Sequence, residues 1–251
     1  MVPDRARSLF FELYSGLPRQ GPGSAESTRR ALSCVPVLTP ESRILDLGCG
    51  TGAQTLVLAR YTPAKIYAID TYEPYVIDLN IQATELGVAD RVAAFHGDMR
   101  KLTFETESFD LVWSEGAIYN VGVNTALKDW RRFLRSDGHL VFTEVCWKGR
   151  DAPDECRLFW QNEYPEIRHT EVLLDEIEKC DYIVVDHFPL MASDWWDEYY
   201  GPLQSNVDVF RRRYVGDRDA ERLCDLCQCE IDIWLKYSEY YDYEFFVTCV
   251  G

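Results

Sequence analysis

Positive charge is scarce in this 251-residue sequence: 26 Lys and Arg stand against 42 Asp and Glu, a formal net charge of −16. Affinity for nucleic acid rests largely on neutralising phosphates with Lys and Arg, so no DNA or RNA partner is expected, and no anionic membrane surface. Arg211-Arg212-Arg213 is the only compact basic cluster and reads as a solvated helix face. Long apolar runs are missing too. No stretch of about eighteen apolar residues occurs, and the opening Met1 to Arg7 is not followed by an apolar core ending in small residues, so neither a membrane span nor a secretion signal is expected. The expected compartment is the cytoplasm. Nine cysteines show no framework spacing and fit reduced thiols better than disulfides. Cys224-x-x-Cys227-x-Cys229 resembles half of a zinc site, but a closed site needs four ligands and no second Cys or His pair lies nearby, so no metal is expected. Internal repeats, low-complexity tracts and coiled-coil heptads are likewise absent from the sequence.

What is present is a 47% hydrophobic composition, enough for one large α/β domain with a buried core and a cap. The chain is organised around Arg43-Ile-Leu-Asp-Leu-Gly-Cys-Gly-Thr-Gly-Ala53. An apolar run breaks into Gly48, Gly50 and Gly52, and helical character resumes at Gln54, which reads as strand, tight turn and helix. Glycines let the backbone turn and approach a ligand, while the helix N-terminus offers unpaired N–H groups and a positive dipole end. Gly48, Gly50 and Ala53 satisfy the dinucleotide fingerprint G-x-G-x-x-G/A, so an NAD-linked oxidoreductase is one reading. Asp46 favours another, because a carboxylate two residues before the first glycine repels a pyrophosphate but suits an ammonium and a sulfonium. With Asp46 to Gly52 reading D-x-G-x-G-x-G, the sequence resembles the class I S-adenosylmethionine-dependent methyltransferases, whose methionine carboxylate would meet the loop amides.

Along the chain, Leu9, Phe10, Phe11, Leu13 and Tyr14 give a short helix an apolar face that must dock on something. The breaker-rich Leu17 to Ser24 follows, and Ser24 or Ser27 is placed to cap a second helix ending near Pro36. That loop is either a linker or a flap that folds Gln20 and Gly23 over the cofactor with Tyr14 behind them. Lys65 to Asp70 is a second strand, and Asp70 stands about twenty residues past the glycines, where a carboxylate accepts both ribose hydroxyls; capping of the following helix is the bland alternative. Arg91 to Phe95 is the third strand. Ser108 to Ser114 is the fourth, with Glu115, Gly116, Ala117 and Tyr119 leaving it towards the crevice at the strand ends. Leu127, Trp130, Phe133 and Leu134 suggest a helical face stopped by Asp137-Gly138, and His139 to Val145 a fifth strand.

The resemblance implies an α/β, Rossmann-like, seven-stranded, mostly parallel sheet with an antiparallel last strand, an N-terminal helical flap and a helical aromatic cap inserted before the last strand. One methyltransferase domain would fill 1–251: N-terminal helices and flap over 1–40, cofactor core over 41–146, a lid over 147–170, the end of the sheet over 171–190 and 241–251, and the cap over 191–240. It resembles bacterial small-molecule methyltransferases related to quinone-biosynthesis enzymes. The implied cofactor is S-adenosylmethionine, released as S-adenosylhomocysteine. Its implied contacts are Tyr14, Gln20, Gly23, Asp46, Gly48, Cys49, Gly50, Gly52, Gln54, Thr55, Asp70, Thr71, Asp98, Met99, Glu115, Gly116 and Ala117. Asp98 would bond the adenine amino group, with Met99 packing the ring.

A general base is needed only for an acceptor that arrives protonated, and Glu115, Glu144, Tyr119 and His96 are candidates in falling order. Tyr119, Trp147, Trp160 and Trp195 are expected to line the acceptor pocket. Aromatics interleaved with Asp194, Asp197 and Glu198 suit a cationic acceptor, which makes an amine the favoured small molecule. Exposed cap aromatics would permit a homodimer. A protein that binds S-adenosylmethionine without catalysis is the remaining alternative.

Overall fold

The computed structural model describes residues 4–251. Two helices come first, α1 (Asp4–Tyr14) and α2 (Ala25–Ser33). Ser24 starts the second: its Oγ accepts the Ser27 N–H at 3.1 Å while Ser27 Oγ accepts the Ser24 N–H at 2.9 Å, so two of the donors stranded at the helix start are satisfied reciprocally. The chain then alternates: β1 (Arg43–Leu47), α3 (Ala53–Tyr61), β2 (Lys65–Asp70), α4 (Glu73–Glu85), β3 (Val92–His96), β4 (Phe109–Ser114), a 3₁₀ turn at Ile118–Asn120, α5 (Val123–Arg131) and β5 (Leu134–Trp147). After these come α6 (Asp154–Glu163), β6 (Arg168–His169), α7 (Thr170–Lys179), β7 (Tyr182–Pro189), α8 (Ala192–Trp195), α9 (Gly201–Arg213), α10 (Arg218–Tyr237) and β8 (Tyr241–Val250).

The strands lie in the order β3-β2-β1-β4-β5-β8-β7. The first five on that path are mutually parallel, and β8 runs antiparallel between β5 and β7. This is the expected seven-stranded sheet, with the two-residue β6 added where β4 has ended and the last residues of β5 are paired by β8 on one side only. β1 and β4 are buried almost throughout, as a parallel sheet covered by helices on both faces requires. Strand order reverses between β1 and β4, which opens a crevice at their carboxyl ends.

One sequence expectation fails locally. Leu134 is not helical, and Gly138 is not a helix stop: both belong to β5. The N–H groups of Ser108 and Phe109 bond the Phe133 carbonyl, and Phe109 pairs with Leu134, so pairing with β4 pulls the chain into the sheet before its apolar period has run out. A bulge between Phe109 and Leu111 absorbs the extra residues.

Above the crevice, α1 and the 191–240 insertion form one layer. Asn206 on α9 donates to the Leu13 carbonyl (2.8 Å) and Tyr214 Oη donates to Glu12 (2.8 Å), so the carbonyl end of α1 is held by the cap. A π-helical turn at Trp196–Tyr200 adds one residue to the helical path and leaves Trp195, Tyr199 and Tyr200 all buried. Cys156 and Trp160 bury α6 in the same cluster, so the 147–170 segment is packed onto the cap at its helix.

Candidate active site

The crevice has two lobes. A polar lobe of about 340 Å³ lies over the glycine turn, and an aromatic lobe of about 280 Å³ lies under the cap. They share Phe10, Gln20, Gly21, Pro22, Gly116 and Tyr119, which form the neck between them.

In the polar lobe, β1 ends into a turn that rides on the next strand. The Gly48 and Cys49 N–H groups both donate to the Ile69 carbonyl (2.9 and 3.1 Å), and the Gly50 N–H donates to Asp70 Oδ2 at 2.9 Å. Gly48 has φ +79° and a Cβ there would overlap the Ala117 methyl, so glycine is required both by conformation and by the close approach of the β4 exit. Gly52, at φ +94°, faces Leu79 rather than the lobe. The Thr51 N–H is also taken, by Gln20 Oε1 at 3.2 Å. Donors for an anion therefore do not come from the turn, contrary to the expectation that its amides meet the methionine carboxylate. They come one step later, from the first turn of α3, where Ala53 and Gln54 have no intrahelical partner and line the lobe. Arg19, buried to 6% exposure, lines the same lobe.

Asp70 closes the far side. Its Oδ1 accepts the Tyr72 N–H at 2.8 Å while Oδ2 holds Gly50, so it ties the turn to the start of α4 and each oxygen keeps a free lone pair. Burial raises its pKa, and the surrounding backbone donors pull it back. Asp98 is gripped by Arg100 through Nε (2.9 Å) and Nη2 (2.8 Å), which holds its carboxyl below the ordinary value. Met99 and Thr71 line the floor, with Phe11 and Tyr75 supplying ring faces from α1 and α4. Phe11 stacks on Tyr72 with ring centroids 3.5 Å apart, which seats α1 against this end of the lobe.

Several sequence expectations change. Asp46 does not reach the lobe: it is fully buried beneath α3, where Thr55 and Gln54 (3.3 Å) donate to it, and burial lifts its carboxyl to about 7. It braces the turn and faces no ligand charge, and Thr55 serves it there. Gly23 lies outside both lobes and donates to the Asp194 carbonyl at 3.1 Å, while Tyr14 lines only the aromatic lobe. Glu115 is no free base. Its carboxylate accepts from Arg19, from Thr28 Oγ1 (2.8 Å) and from Trp113 Nε1 (2.8 Å), which commits it to joining the N-terminal segment, α2 and β4.

Glu144 lines neither lobe. It is fully buried, neither oxygen has a hydrogen-bond partner, and burial raises it to about 7 against the attraction of the Arg168 charge. Trp147 packs edge-on against Tyr241 away from the cavity, and His96 bonds the Thr71 carbonyl (3.1 Å) outside it. The remaining candidates, Gln20, Gly48, Cys49, Gly50, Gln54, Asp70, Thr71, Asp98, Met99, Glu115, Gly116 and Ala117, do meet at the polar lobe.

The aromatic lobe collects Trp160, Trp195 and Tyr119 from the expected set, together with Tyr14, Tyr199 and Tyr243. Trp195 is fixed by donation from Nε1 to Asp242 (2.9 Å), which Lys148 neutralises at 2.8 Å. Tyr119 stands at the neck, 44% exposed to the open crevice, where partial enclosure and nearby carboxylates raise its phenol above the ordinary value, so it stays protonated at neutral pH. Two carboxylates enter this lobe, Glu163 and Glu230. Sequence reasoning missed Arg19, Phe10, Phe11, Tyr75, Arg100 and Glu230. Only Phe10 and Phe11 left a signal, as an apolar helix face without a partner.

Comparison with known proteins agrees with this geometry. Residues 45–142 match the family described as a methyltransferase domain. The chain is 28% identical over 200 residues to the sterol 24-C-methyltransferase ERG6B of Gibberella zeae, covering 75% of this chain and 50% of the relative. It thus spans about half the length of the curated relatives it matches. A methyltransferase from Geobacter sulfurreducens solved with S-adenosyl-L-homocysteine superimposes with a TM-score of 0.82 at 24% identity over 97% of this chain and 98% of that one. One from Thiobacillus denitrificans, in complex with the same molecule, gives 0.84 at 20% identity over 97% and 98%. The fold and its crevice are those of a Rossmann-like methyltransferase. Residues 45–142 thus match a methyltransferase domain, and the two proteins crystallised with S-adenosyl-L-homocysteine share the fold around it.

Proposed function

We propose that this protein transfers a methyl group from S-adenosylmethionine to a small-molecule acceptor held in the aromatic lobe. The observation that carries this reading is the pair of lobes meeting at one neck: carboxylates and helix N–H groups line one side, aromatic rings the other. The residues present suit the cofactor. Asp70 would hold the ribose hydroxyls with its free lone pairs, Asp98 and Met99 the adenine, and Arg19 with the first turn of α3 the methionyl carboxylate. When bound, S-adenosylmethionine supplies a methyl group on a positively charged sulfur, so the protein has chiefly to align and enclose.

Positioning of this kind provides most of the rate. The Gln20 to Pro22 strap borders both lobes and, with Phe10 and the cap, would shut water out of the neck once donor and acceptor fill it. Tyr119 lies where the acceptor must meet the donor. The net charge of −16 supports an acceptor that is not a nucleic acid. Nine free cysteines among the described residues support a reducing compartment, the cytoplasm. No helix among those residues is long and apolar enough to cross a membrane.

The test is a thermal shift with S-adenosylmethionine, S-adenosylhomocysteine and NAD, followed by product detection with an acceptor panel. A ligand bound only by the native state raises the melting temperature. Stabilisation by both adenosyl compounds and formation of S-adenosylhomocysteine with one acceptor are expected. Stabilisation by NAD alone would move the protein to the oxidoreductases.

A further inference from the structure

The aromatic lobe has an unbalanced charge. Glu163 and Glu230 line it, and no Lys, Arg or His does. Glu163 is exposed at the surface, but Glu230 is half-buried on the inner face of α10. Its Oε1 accepts the Tyr200 hydroxyl at 2.9 Å, and Oε2 has no hydrogen-bond partner among the described residues. The nearby phenols do not serve it, since Tyr14 and Tyr199 lie 3.4 Å from each other and Tyr14 also contacts Cys227. Half-buried, with its free oxygen open to the lobe and no cation beside it, this carboxylate is partly stripped of water, and a fold keeps such a group most readily where a ligand supplies the missing charge. Around it stand Tyr14, Trp160, Trp195, Tyr199 and Tyr243, whose ring faces attract cations as well as apolar surface.

Resting on the methyl-transfer reading, we propose that the acceptor is a protonatable amine on an apolar or aromatic body, with Glu230 as the carboxylate that draws it in and receives its proton. An anionic acceptor would meet two carboxylates and no cation, and a neutral one would leave Glu230 without a counterpart. The amine must shed a proton before it can react. The ammonium gives that proton to the Glu230 carboxylate, and the freed nitrogen lone pair forms the new N–C bond to the methyl carbon. The C–S bond breaks with its electron pair going to sulfur, and Glu230 returns the proton to water. The products are the methylated ammonium and S-adenosylhomocysteine. Burial lifts the Glu230 carboxyl to about 7, a value suited to taking up and releasing a proton near neutral pH.

The experiment is calorimetric titration of the full chain, saturated with S-adenosylhomocysteine, with phenethylamine, 2-phenylethanol and phenylacetate as matched probes. The amine is expected to bind at least about ten-fold more tightly than the alcohol, and phenylacetate more weakly than either. Glu230→Gln keeps the acceptor for Tyr200 and is expected to erase the preference while leaving S-adenosylhomocysteine affinity unchanged. Glu163→Gln should reduce the preference less. Equal binding of amine and alcohol, failure of the amine to bind, or a preference that survives Glu230→Gln overturns the proposal. The wild-type comparison decides alone if the variant does not fold. Absence of S-adenosylhomocysteine binding in the same titration would instead sink the methyl-transfer reading.

Discussion

Removing the Arg19 guanidinium tests the joint between the N-terminal segment and the sheet. Arg19 and Glu115 have side chains 7% and 3% exposed, and the carboxylate also accepts from Thr28 and Trp113. Breaking a buried pair from one side costs roughly 3–5 kcal/mol, because the surviving charge stays out of water. Here the survivor can neutralise itself. Burial already holds Glu115 above its ordinary pKa and Arg19 is the largest influence lowering it, so Arg19→Met lets that pKa climb further.

A carboxyl whose folded pKa exceeds its unfolded one binds more protons in the native state. Stability therefore falls as pH rises between the two values and is flat above the higher one. The loss in Arg19→Met should accordingly be smaller at acid than at alkaline pH, growing by at most about 1.4 kcal/mol per pH unit, which a comparison at pH 5.5 and pH 8.5 reads. Glu115→Gln strands the arginine instead, so its cost should show no such slope. The double variant should recover about 2 kcal/mol or more of the summed losses. Urea unfolding followed by circular dichroism at both pH values measures this. A loss under about 1 kcal/mol at pH 8.5, the scale of an exposed pair, would refute the reasoning. So would a slope equal to the wild type's.

Other expectations are narrower. Asp70→Ala should weaken S-adenosylmethionine binding about ten-fold or more by calorimetry, through lost ribose acceptors and a loosened Gly50; undiminished affinity would remove Asp70 from the site. Gly52→Ala places a methyl on Leu79 at a φ of +94° and should lower stability by about 1–3 kcal/mol, and an unchanged melting temperature would contradict the packing described. Glu144→Gln replaces a buried carboxyl raised from 4.5 to about 7. Its ionisation penalty is absent near pH 4.5, grows to about 3 kcal/mol by pH 7 and then levels off. The variant should therefore gain stability over wild type at pH 8 and little at pH 5; equal gains at both would mean that packing, not charge, was changed.

The strand–turn–helix core was legible because its signals are local. Glycines after an apolar run and acids at the ends of short strands fix where a parallel sheet turns over, and Asp70, Asp98 and Gly116 follow from that register. The boundary at Leu134 was not legible, because pairing with β4 outweighs the apolar helical period there. The roles of Asp46, Glu115 and Glu144 escaped for a common reason. Each lies in or just beyond a strand, where one step of register decides between cavity and core, and only tertiary neighbours settle which carboxylate is spoken for. Glu230 was hidden differently. It lies in the stretch expected to be a helical aromatic cap, where nothing in the sequence singles it out, and only packing of the cap turns it inward beside Tyr200. Arg19 sat one residue before the flap glutamine, and its partner is 96 residues away.

The most direct test of the account is a crystal structure with S-adenosylhomocysteine bound. The account places the ribose on Asp70, the adenine beside Asp98 and Met99, and the sulfur at the neck between Gly116 and Tyr119, pointing into the aromatic lobe. A molecule bound with its sulfur turned away from that lobe, or in any other cavity, would contradict it.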